Sequence, residues 1–434
     1  MKPRIVVYTT KKTNRLVYII STIFEERLGC ELIITRDKRE FLEVDGVRLN
    51  YSSESIEQIA QILPSPLLFE NRIRDIEVVV NDDSEIPWLF ANPRCSYGFD
   101  PIAACFYLLS RYEEYLPYRK DEHGRFASSS SLLGRHQADT KPLVDIYIGQ
   151  LGKLLNLESI NDRTVKPSFK LEVTVDIDQL FMYRSKGIAR SILGAIADLL
   201  RNRTSLMTRF DVIMGYKKDP LDIYDFIIQR CKRQGIRPKF FVQVGETSRF
   251  DINNPIHLPN VIQRLNEIAS DADVGIHPSY YSSEKHDILE SEIERLSSAL
   301  GAVILLSRQH YLRFRIPTTF RKLEEHGIRE DFSMGFPDKN GFRAGTSIPF
   351  KFYDLERDEP THLTIHPLVF MDVLAIRNNA TYDEALNEML ALQTIVRENG
   401  GTFNSTWHPE TLIGLGVNYP SMDLLTNLVD EGKH

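Results

Sequence analysis

Short apolar runs alternate with amphipathic stretches along most of the chain, and this alternation predicts an α/β protein. Near the start, residues 4–8 and 31–35 have the apolar character of strands, and residues 14–27 have the apolar periodicity of a helix. An Asp-Gly pair between two apolar runs in residues 41–49 predicts a hairpin. The beginning of the chain is therefore expected to form a small mixed α/β domain.

A strongly apolar helix is predicted to begin at Asp100 and Pro101. An acidic N-cap followed by proline at the first helical position is typical of a helix start. The helix is predicted to end before Pro117, and its residues are apolar on nearly every side, so we expect it to be buried between layers. A second helix is predicted over residues 142–155, and a linker follows over residues 158–167.

This linker separates two predicted domains, residues 1–165 and residues 166–434. In the second domain strands and helices alternate regularly, an order typical of a parallel sheet covered by helices. The predicted extended segments are 171–179, 239–244, 273–277, 303–306, 311–313 and 403–408. The predicted helices are 184–203, 220–234, 258–270, 287–300, 318–326 and 381–398, the last with a capping box formed by Thr381 and Glu384.

Composition and charge agree with a globular protein of ordinary type. Of the residues, 42% are hydrophobic, which is enough apolar material for well-formed cores. The formal net charge of -7 and the isoelectric point near 5.9 argue against a nucleic-acid-binding protein. The cysteines lie far apart without a CxxC pair, which indicates core cysteines in a reducing compartment. With no signal peptide and no apolar run of about 18 residues, we expect a cytoplasmic protein without a membrane span.

Two carboxylates lie near the end of the strand predicted over residues 171–179. Asp176 and Asp178 are two positions apart, so on an extended strand they point to the same face, about 7 Å from each other. Two such acids repel one another unless a cation lies close to them. The strand end is therefore either a site for a metal or a base, or a pair of solvated aspartates.

Histidines follow two other predicted strands, and the carboxyl ends of parallel strands meet at one edge of a sheet. Asp178 and His277 offer a carboxylate oxygen and an imidazole nitrogen, which suit zinc or another first-row divalent ion. Asp176 could take a proton from a water held by the metal, and His408 could protonate a leaving group. Each histidine also has a simpler explanation as a packed or capped loop residue, so the metal-assisted hydrolytic site is a hypothesis.

Several motifs resemble the polysaccharide deacetylases of the NodB-homology type, carbohydrate esterase family four. They are Thr174-Val175-Asp176-Ile177-Asp178, Gly275-Ile276-His277-Pro278-Ser279-Tyr280 and Trp407-His408. This resemblance spans roughly residues 168–415. Further motifs resemble a two-domain bacterial branch of the superfamily, and they extend the resemblance to the whole chain. They are Phe99-Asp100-Pro101, Ser110-Arg111-Tyr112-Glu113-Glu114-Tyr115, Ser307-Arg308-Gln309-His310-Tyr311 and Gly341-Phe342-Arg343-Ala344-Gly345-Thr346.

The resemblance implies a distorted (β/α)7-type barrel, preceded by a smaller α/β domain, with a divalent metal such as zinc at the strand ends. Family members remove N-acetyl groups from amino sugars, so it also implies a carbohydrate substrate in polysaccharide or glycolipid metabolism. Asp176 matches the family's general base, Asp178 its metal-binding aspartate and His277 the first histidine of its metal motif. His408 matches the acid that serves the leaving amine, and Arg308 matches the arginine that orients the base.

Two departures from the family pattern affect the metal site. Ile177 separates the two aspartates, which are adjacent in the family, and Tyr281 occupies the second histidine position of the His-x-x-x-His motif. A tyrosine hydroxyl, with a reference pKa of about 10, is a poor zinc ligand. We expect His310 to complete the ligand set, with His286 as the weaker candidate. The alternatives are a catalytically silent protein that binds a glycan or a partner enzyme, and a metal hydrolase with a non-sugar substrate.

Overall fold

A four-stranded parallel sheet organises residues 2–157, called here the N-terminal part. The computed structural model describes residues 2–95, 97–157, 167–186 and 203–431. The strands of the sheet are β1 (Arg4–Tyr8), β2 (Glu31–Thr35), β3 (Val47–Asn50) and β4 (Ala60–Gln61). Their order is β2-β1-β3-β4, and every neighbouring pair is parallel. A separate antiparallel pair consists of β5 (Val80–Asn81) and β6 (Trp88–Leu89).

The hairpin predicted over residues 41–49 is wrong. The carboxylate of Asp37 accepts hydrogen bonds from two backbone N–H groups and starts a short helix, Lys38–Glu43, that buries Phe41. Residues Val47–Asn50 then pair in parallel with β1 instead of folding back on their neighbour. The Asp-Gly pair therefore joins a helix to a strand, because the N-cap upstream outweighs the local turn signal.

Helices cover the sheet of the N-terminal part. The predicted apolar helix is confirmed over Pro101–Leu109: all of its residues are buried, and Asp100 caps its first N–H groups. The predicted first helix is also confirmed, although its second half, Thr22–Arg27, is π-helical. The first half of that helix is Asn14–Ser21. The other helical segments are Pro66–Phe69, Tyr112–Tyr115, Ser128–Ser130, Leu132–Arg135 and Leu143–Leu154.

A larger, mostly parallel sheet organises the rest of the chain. Its strands are β7 (Lys170–Ile177), β8 (Lys239–Val242), β9 (Asp273–Ile276), β10 (Leu306–Ser307), β11 (Glu330–Met334), β12 (Phe350–Asp354), β13 (Glu359–Pro367), β14 (Phe370–Met371) and β15 (Thr402–Trp407). Their order is β12-β13-β11-β10-β9-β8-β7-β15-β14, and among these described strands only β12 runs antiparallel to its neighbour. The expected α/β class is confirmed. The sheet has nine described strands where the resemblance implied seven, because β12 and β14 extend its two edges.

This larger sheet is curled. Arg308 directly follows β10, whereas Thr406 lies on β15, four strands away in the sheet order. In a flat sheet those strands would lie about 19 Å apart, at ~4.8 Å per strand, which no side chain can span. The guanidinium of Arg308 nevertheless donates a hydrogen bond to the hydroxyl of Thr406. The strands therefore bend around a common interior, and side chains from distant strands meet there.

Helices connect the strands of the larger sheet. They are Arg203–Ile213, Tyr224–Arg233, Pro259–Asp271, His286–Leu300, Thr318–Glu325, Asp372–Asn378, Tyr382–Asn399, Pro409–Leu412 and Met422–Glu431. The predicted capping box of Thr381 and Glu384 is confirmed. The extended segment predicted at 311–313 is wrong, because His310–Leu312 forms a tight helical turn in which Tyr311 has a positive φ of 59°. Most of the predicted helix 184–203, like the predicted linker and domain boundary, lies outside the described residues.

A buried ion-pair network joins the N-terminal part to the larger sheet. The carboxylate of Glu114 lies 2.6 Å from Nη2 of Arg343 and 2.8 Å from Nε of Arg111. Burial raises the pKa of Glu114, but the two guanidinium groups outweigh it and lower the pKa below its ordinary value. Both arginines and the glutamate belong to the motifs that resemble the two-domain branch, so these motifs have a structural role at the junction.

Gly341, in the same junction, lets the two parts approach closely. Its φ is +137°, and a Cβ atom there would lie 2.4 Å from the carbonyl oxygen of Asp139. The neighbouring N–H of Phe342 donates a hydrogen bond of 2.7 Å to that same carbonyl.

Among the described helices, none has the length and apolar character that are needed to cross a membrane.

Replacing Arg343 by alanine is expected to lower the free energy of unfolding by about 3 kcal/mol, because Glu114 would keep a buried charge with one partner lost. Urea unfolding monitored by circular dichroism measures this change. The matched control is Arg39→Ala, since Arg39 is 84% exposed in its pair with Glu43 and should contribute less than about 1 kcal/mol. Equal losses for the two variants would contradict the role of the network.

Candidate metal centre

Asp178, His277 and His310 lie together at the carboxyl ends of the strands in the larger sheet. Oδ1 of Asp178 is 3.5 Å from Nε2 of His277 and 3.4 Å from Nε2 of His310. One potential ligand atom from each residue lies within 4.8 Å of the others. Ligands around a tetrahedral zinc ion at its usual bond lengths would be about 3.3 Å apart. The spacing of these three residues therefore matches a metal site.

The environment of Asp178 also fits a cation. Its Oδ1 atom is buried and has no hydrogen-bond donor among the described residues. A buried carboxylate oxygen without a partner costs free energy, which a bound cation would offset. Burial raises the pKa of Asp178, but the facing imidazoles of His310 and His277 outweigh it and hold the pKa well below its ordinary range. The carboxylate is therefore ionised at neutral pH, and these three residues could hold a metal ion.

Hydrogen bonds on the far side of each imidazole orient both histidines. Nδ1 of His277 lies 2.6 Å from the carbonyl oxygen of Arg308, and Nδ1 of His310 lies 2.9 Å from Oδ1 of Asp251. Both partners can accept a hydrogen from Nδ1, and each Nε2 faces Asp178 as the atom that would bind a metal once that nitrogen is deprotonated. Carboxylate or carbonyl partners of this kind are usual for metal-binding histidines.

Asp176 lies beside the three residues, in contact with the other predicted catalytic groups. It is 2% exposed. Its Oδ1 is 3.4 Å from Nη1 of Arg308, and its Oδ2 is 3.8 Å from Nε2 of His408. Arg308 is fully buried and is fixed by the carbonyl oxygen of Phe332 at 3.1 Å. The structure thus brings all six residues predicted from the sequence into one site.

Asp372 positions the ring of His408 and stabilises its positive charge. Nδ1 of His408 lies 2.8 Å from Oδ1 of Asp372, and the backbone N–H of His408 donates to Oδ2 at 2.9 Å. Burial lowers the pKa of His408, but the charges of Asp372 and Asp176 outweigh it and raise the pKa to about 10. At neutral pH the ring is therefore an imidazolium, and its Nε2–H can donate a proton on the side of Asp176.

Sequence reasoning missed Asp251 and Asp372, which orient His310 and His408. Asp372 directly follows the two-residue strand β14, and Asp251 lies in a loop, so neither follows a strand long enough to give a periodic signal. Tyr281, at the second histidine position of the family motif, is not part of the ligand cluster and is 37% exposed. The helix that follows begins at His286, whose side chain is outside the described structure.

The cluster borders a pocket of about 480 Å³ at the mouth of the curled sheet. Its walls include the aromatic rings of Phe250 and Tyr311 and the apolar side chains of Met371 and Leu374. This volume lies in the range of sites that enclose a small molecule. The arrangement therefore places a candidate metal position, a carboxylate and an imidazolium against a space of substrate size.

Replacing Asp251 by asparagine is expected to weaken Zn²⁺ binding about 10–100-fold, because His310 loses the carboxylate that fixes its tautomer. Calorimetric titration of chelator-treated protein with Zn²⁺ measures this effect. The matched control is Asp82→Asn, which alters an aspartate paired at 3.0 Å with His136 on the exposed surface. Unchanged affinity in the Asp251 variant would contradict the role of Asp251 in orienting His310 for the metal.

Replacing Asp372 by asparagine is expected to lower the pKa of His408 from about 10, because it removes the nearest charge that stabilises the imidazolium. A raised pKa keeps the ring protonated until the pH passes that value, so the variant should lose its proton at a lower pH. An NMR titration of the His408 ring measures both midpoints. Asp338→Asn, which alters a carboxylate bonded to Ser128 instead, should leave the midpoint unchanged. If both variants titrate like the parent, Asp372 does not control His408.

Comparison with known families gives one match at the start of the chain. The model of a family of unknown function, DUF7033, matches residues 5–159. No curated protein is significantly similar to the chain.

Several solved structures resemble the chain. A presumed polysaccharide deacetylase from Mycobacterium smegmatis is 15% identical, with a TM-score of 0.40 over 62% of this chain and 84% of that one. A polysaccharide deacetylase from Bacillus cereus is 10% identical, with a TM-score of 0.29 over 62% of this chain and 89% of that one. A CE4 family pseudoenzyme from Bacillus anthracis is 8% identical, with a TM-score of 0.29 over 62% of each chain. Because these similarities are low in identity, the chemistry of the chain has to be derived from its own residues.

Proposed function

We propose that this protein is a metal-dependent hydrolase that removes the acetyl group from an N-acetylated sugar, in polysaccharide or glycolipid metabolism. The observation that carries the proposal is the Asp178, His277 and His310 cluster, which lies next to a buried carboxylate and an imidazolium. The motif resemblance supplies the substrate class, because members of that family act on N-acetylated amino sugars.

Asp176 acts as the general base in this proposal. A divalent ion, which we propose to be zinc, would supply a Lewis acid for the acyl carbonyl and lower the pKa of a water. Arg308 contacts Oδ1 of Asp176 at 3.4 Å and holds the carboxylate in place. Oδ2 then faces the site and takes the proton of the attacking water as its oxygen adds to the acyl carbon.

His408 acts as the general acid. Its Nε2–H donates a proton to the sugar nitrogen as the carbon–nitrogen bond breaks, which releases acetate and the free amine. Asp372 keeps the ring oriented and charged, since the 2.8 Å contact at Nδ1 directs Nε2 into the site. Base and acid lie 3.8 Å apart, so both can reach the same amide group of a bound substrate.

The silent binding protein is the weaker alternative. Tyr281 favours this alternative, because a tyrosine hydroxyl is a poor zinc ligand. His310, however, offers an imidazole nitrogen at 3.4 Å from Asp178. A hydrolase with a non-sugar amide substrate uses the same groups and differs only in what fills the pocket, so substrate assays separate it from the proposal.

Acetate release from N-acetylglucosamine and its oligomers, measured on protein purified without chelator, tests the proposed function. We expect Asp176→Asn to lower kcat by about 10²–10⁴-fold through loss of the base, while the metal content stays that of the parent. Asp178→Ala should lose both metal and activity, and Asp82→Asn, with its exposed carboxylate, should lose neither. A bound metal without acetate release from any N-acetylated sugar would contradict the proposal and favour one of the alternatives.

A further inference from the structure

The N-terminal part reaches the pocket through one tight turn, residues 121–125. The carboxylate of Asp121 accepts hydrogen bonds from the N–H groups of His123 at 2.9 Å and Arg125 at 2.8 Å. Gly124 has a positive φ of 76°, and its N–H donates to the carbonyl oxygen of Asp121 at 3.0 Å. The turn is therefore shaped by its own hydrogen bonds, and it presents Glu122, His123 and Arg125 to the pocket.

This turn is bonded to the two loops that carry the histidines of the ligand cluster. Arg125 donates to the carbonyl oxygen of Tyr311 at 2.7 Å, directly after His310 in the chain. Nδ1 of His123 lies 3.0 Å from the hydroxyl of Tyr280, three residues after His277. The turn is thus fixed against the candidate metal centre at two points.

The ring of His123 completes an aromatic wall. Its centroid is 5.1 Å from that of Tyr311, 5.7 Å from that of Tyr280 and 5.9 Å from that of Phe250. The rings of Phe250 and Tyr280 are stacked at 4.0 Å. Flat rings with polar edges can pack against the carbon–hydrogen face of a sugar and bond its hydroxyls.

We propose that His123 and its turn form an end wall of the substrate pocket, so that the protein acts on a short saccharide or a chain end of one or two sugar units. This inference rests on the proposed function. The pocket of about 480 Å³ has room for a small ligand, and Glu122, His123 and Arg125 of the turn lie in its lining. The buried network of Arg111, Glu114 and Arg343 keeps the N-terminal part, and therefore the wall, in place.

Acetate release from N-acetylglucosamine, its dimer and its hexamer, with mass spectrometry of the hexamer product, tests the wall. We expect the parent protein to deacetylate the hexamer only at one end. His123→Ala should raise KM for the dimer about tenfold, as for a lost contact of about 1.4 kcal/mol, and should open internal units to reaction.

The matched control is His136→Ala, because His136 also lies in the N-terminal part and has one carboxylate partner, but on the exposed surface. It should behave like the parent in every assay. His123→Trp adds bulk to the wall and should reduce activity on the dimer more than on the monomer. Deacetylation of internal units by the parent protein overturns the end wall while leaving the proposed function intact, and absence of acetate from every sugar overturns the proposed function itself.

Discussion

A buried carboxylate oxygen that faces two imidazole nitrogens is the constraint on which the rest of the structure depends. Oδ1 of Asp178 lacks a donor within the described part of the chain, yet it lies within 3.5 Å of both Nε2 atoms. Such a group is costly to bury unless a cation compensates it. The curl of the sheet brings β7, β9 and β10 into reach of one another, and Asp251 and a backbone carbonyl orient the two rings. The curl of the sheet and the charge of Asp178 therefore both favour a cation at this position.

Asp176, Asp178, His277 and His408 could be predicted to lie together because the carboxyl ends of parallel strands meet at one edge of a sheet, whereas Arg308 was indicated only by the motif resemblance. The sequence did not reveal Asp251 or Asp372, because an aspartate in a loop or at the start of a helix is usual and only its contact with a histidine marks it. The hairpin at residues 41–49 failed for a related reason: Asp37 starts a helix whose burial of Phe41 outweighs the turn preference of Asp-Gly. Local patterns predicted the elements well, whereas pairings between distant residues had to be seen in the structure.

The motifs in the N-terminal part acquire a physical meaning at the junction with the larger sheet. A buried glutamate between two arginines is stable only while all three charges stay together. Arg111 and Glu114 lie on one side of this junction, and Arg343 lies on the other. Gly341 permits the close approach that their contact requires. The two parts of the chain are therefore fixed relative to each other, which a flexible linker between separate domains would not achieve.

Tyr281 stands four residues after His277, and the candidate metal cluster takes its second imidazole from a different loop. In a His-x-x-x-His motif both imidazoles come from one loop, so their spacing is set by local backbone geometry. Here the second imidazole comes from His310, on the loop after the next strand, and its position depends on the tight turn at Tyr311 and on Asp251. The turn at residues 121–125 bonds to the carbonyl oxygen of Tyr311 and to the hydroxyl of Tyr280, so it supports both ligand loops at once. The residues of this candidate metal site come from separate loops, and the N-terminal part contributes two contacts that hold these loops.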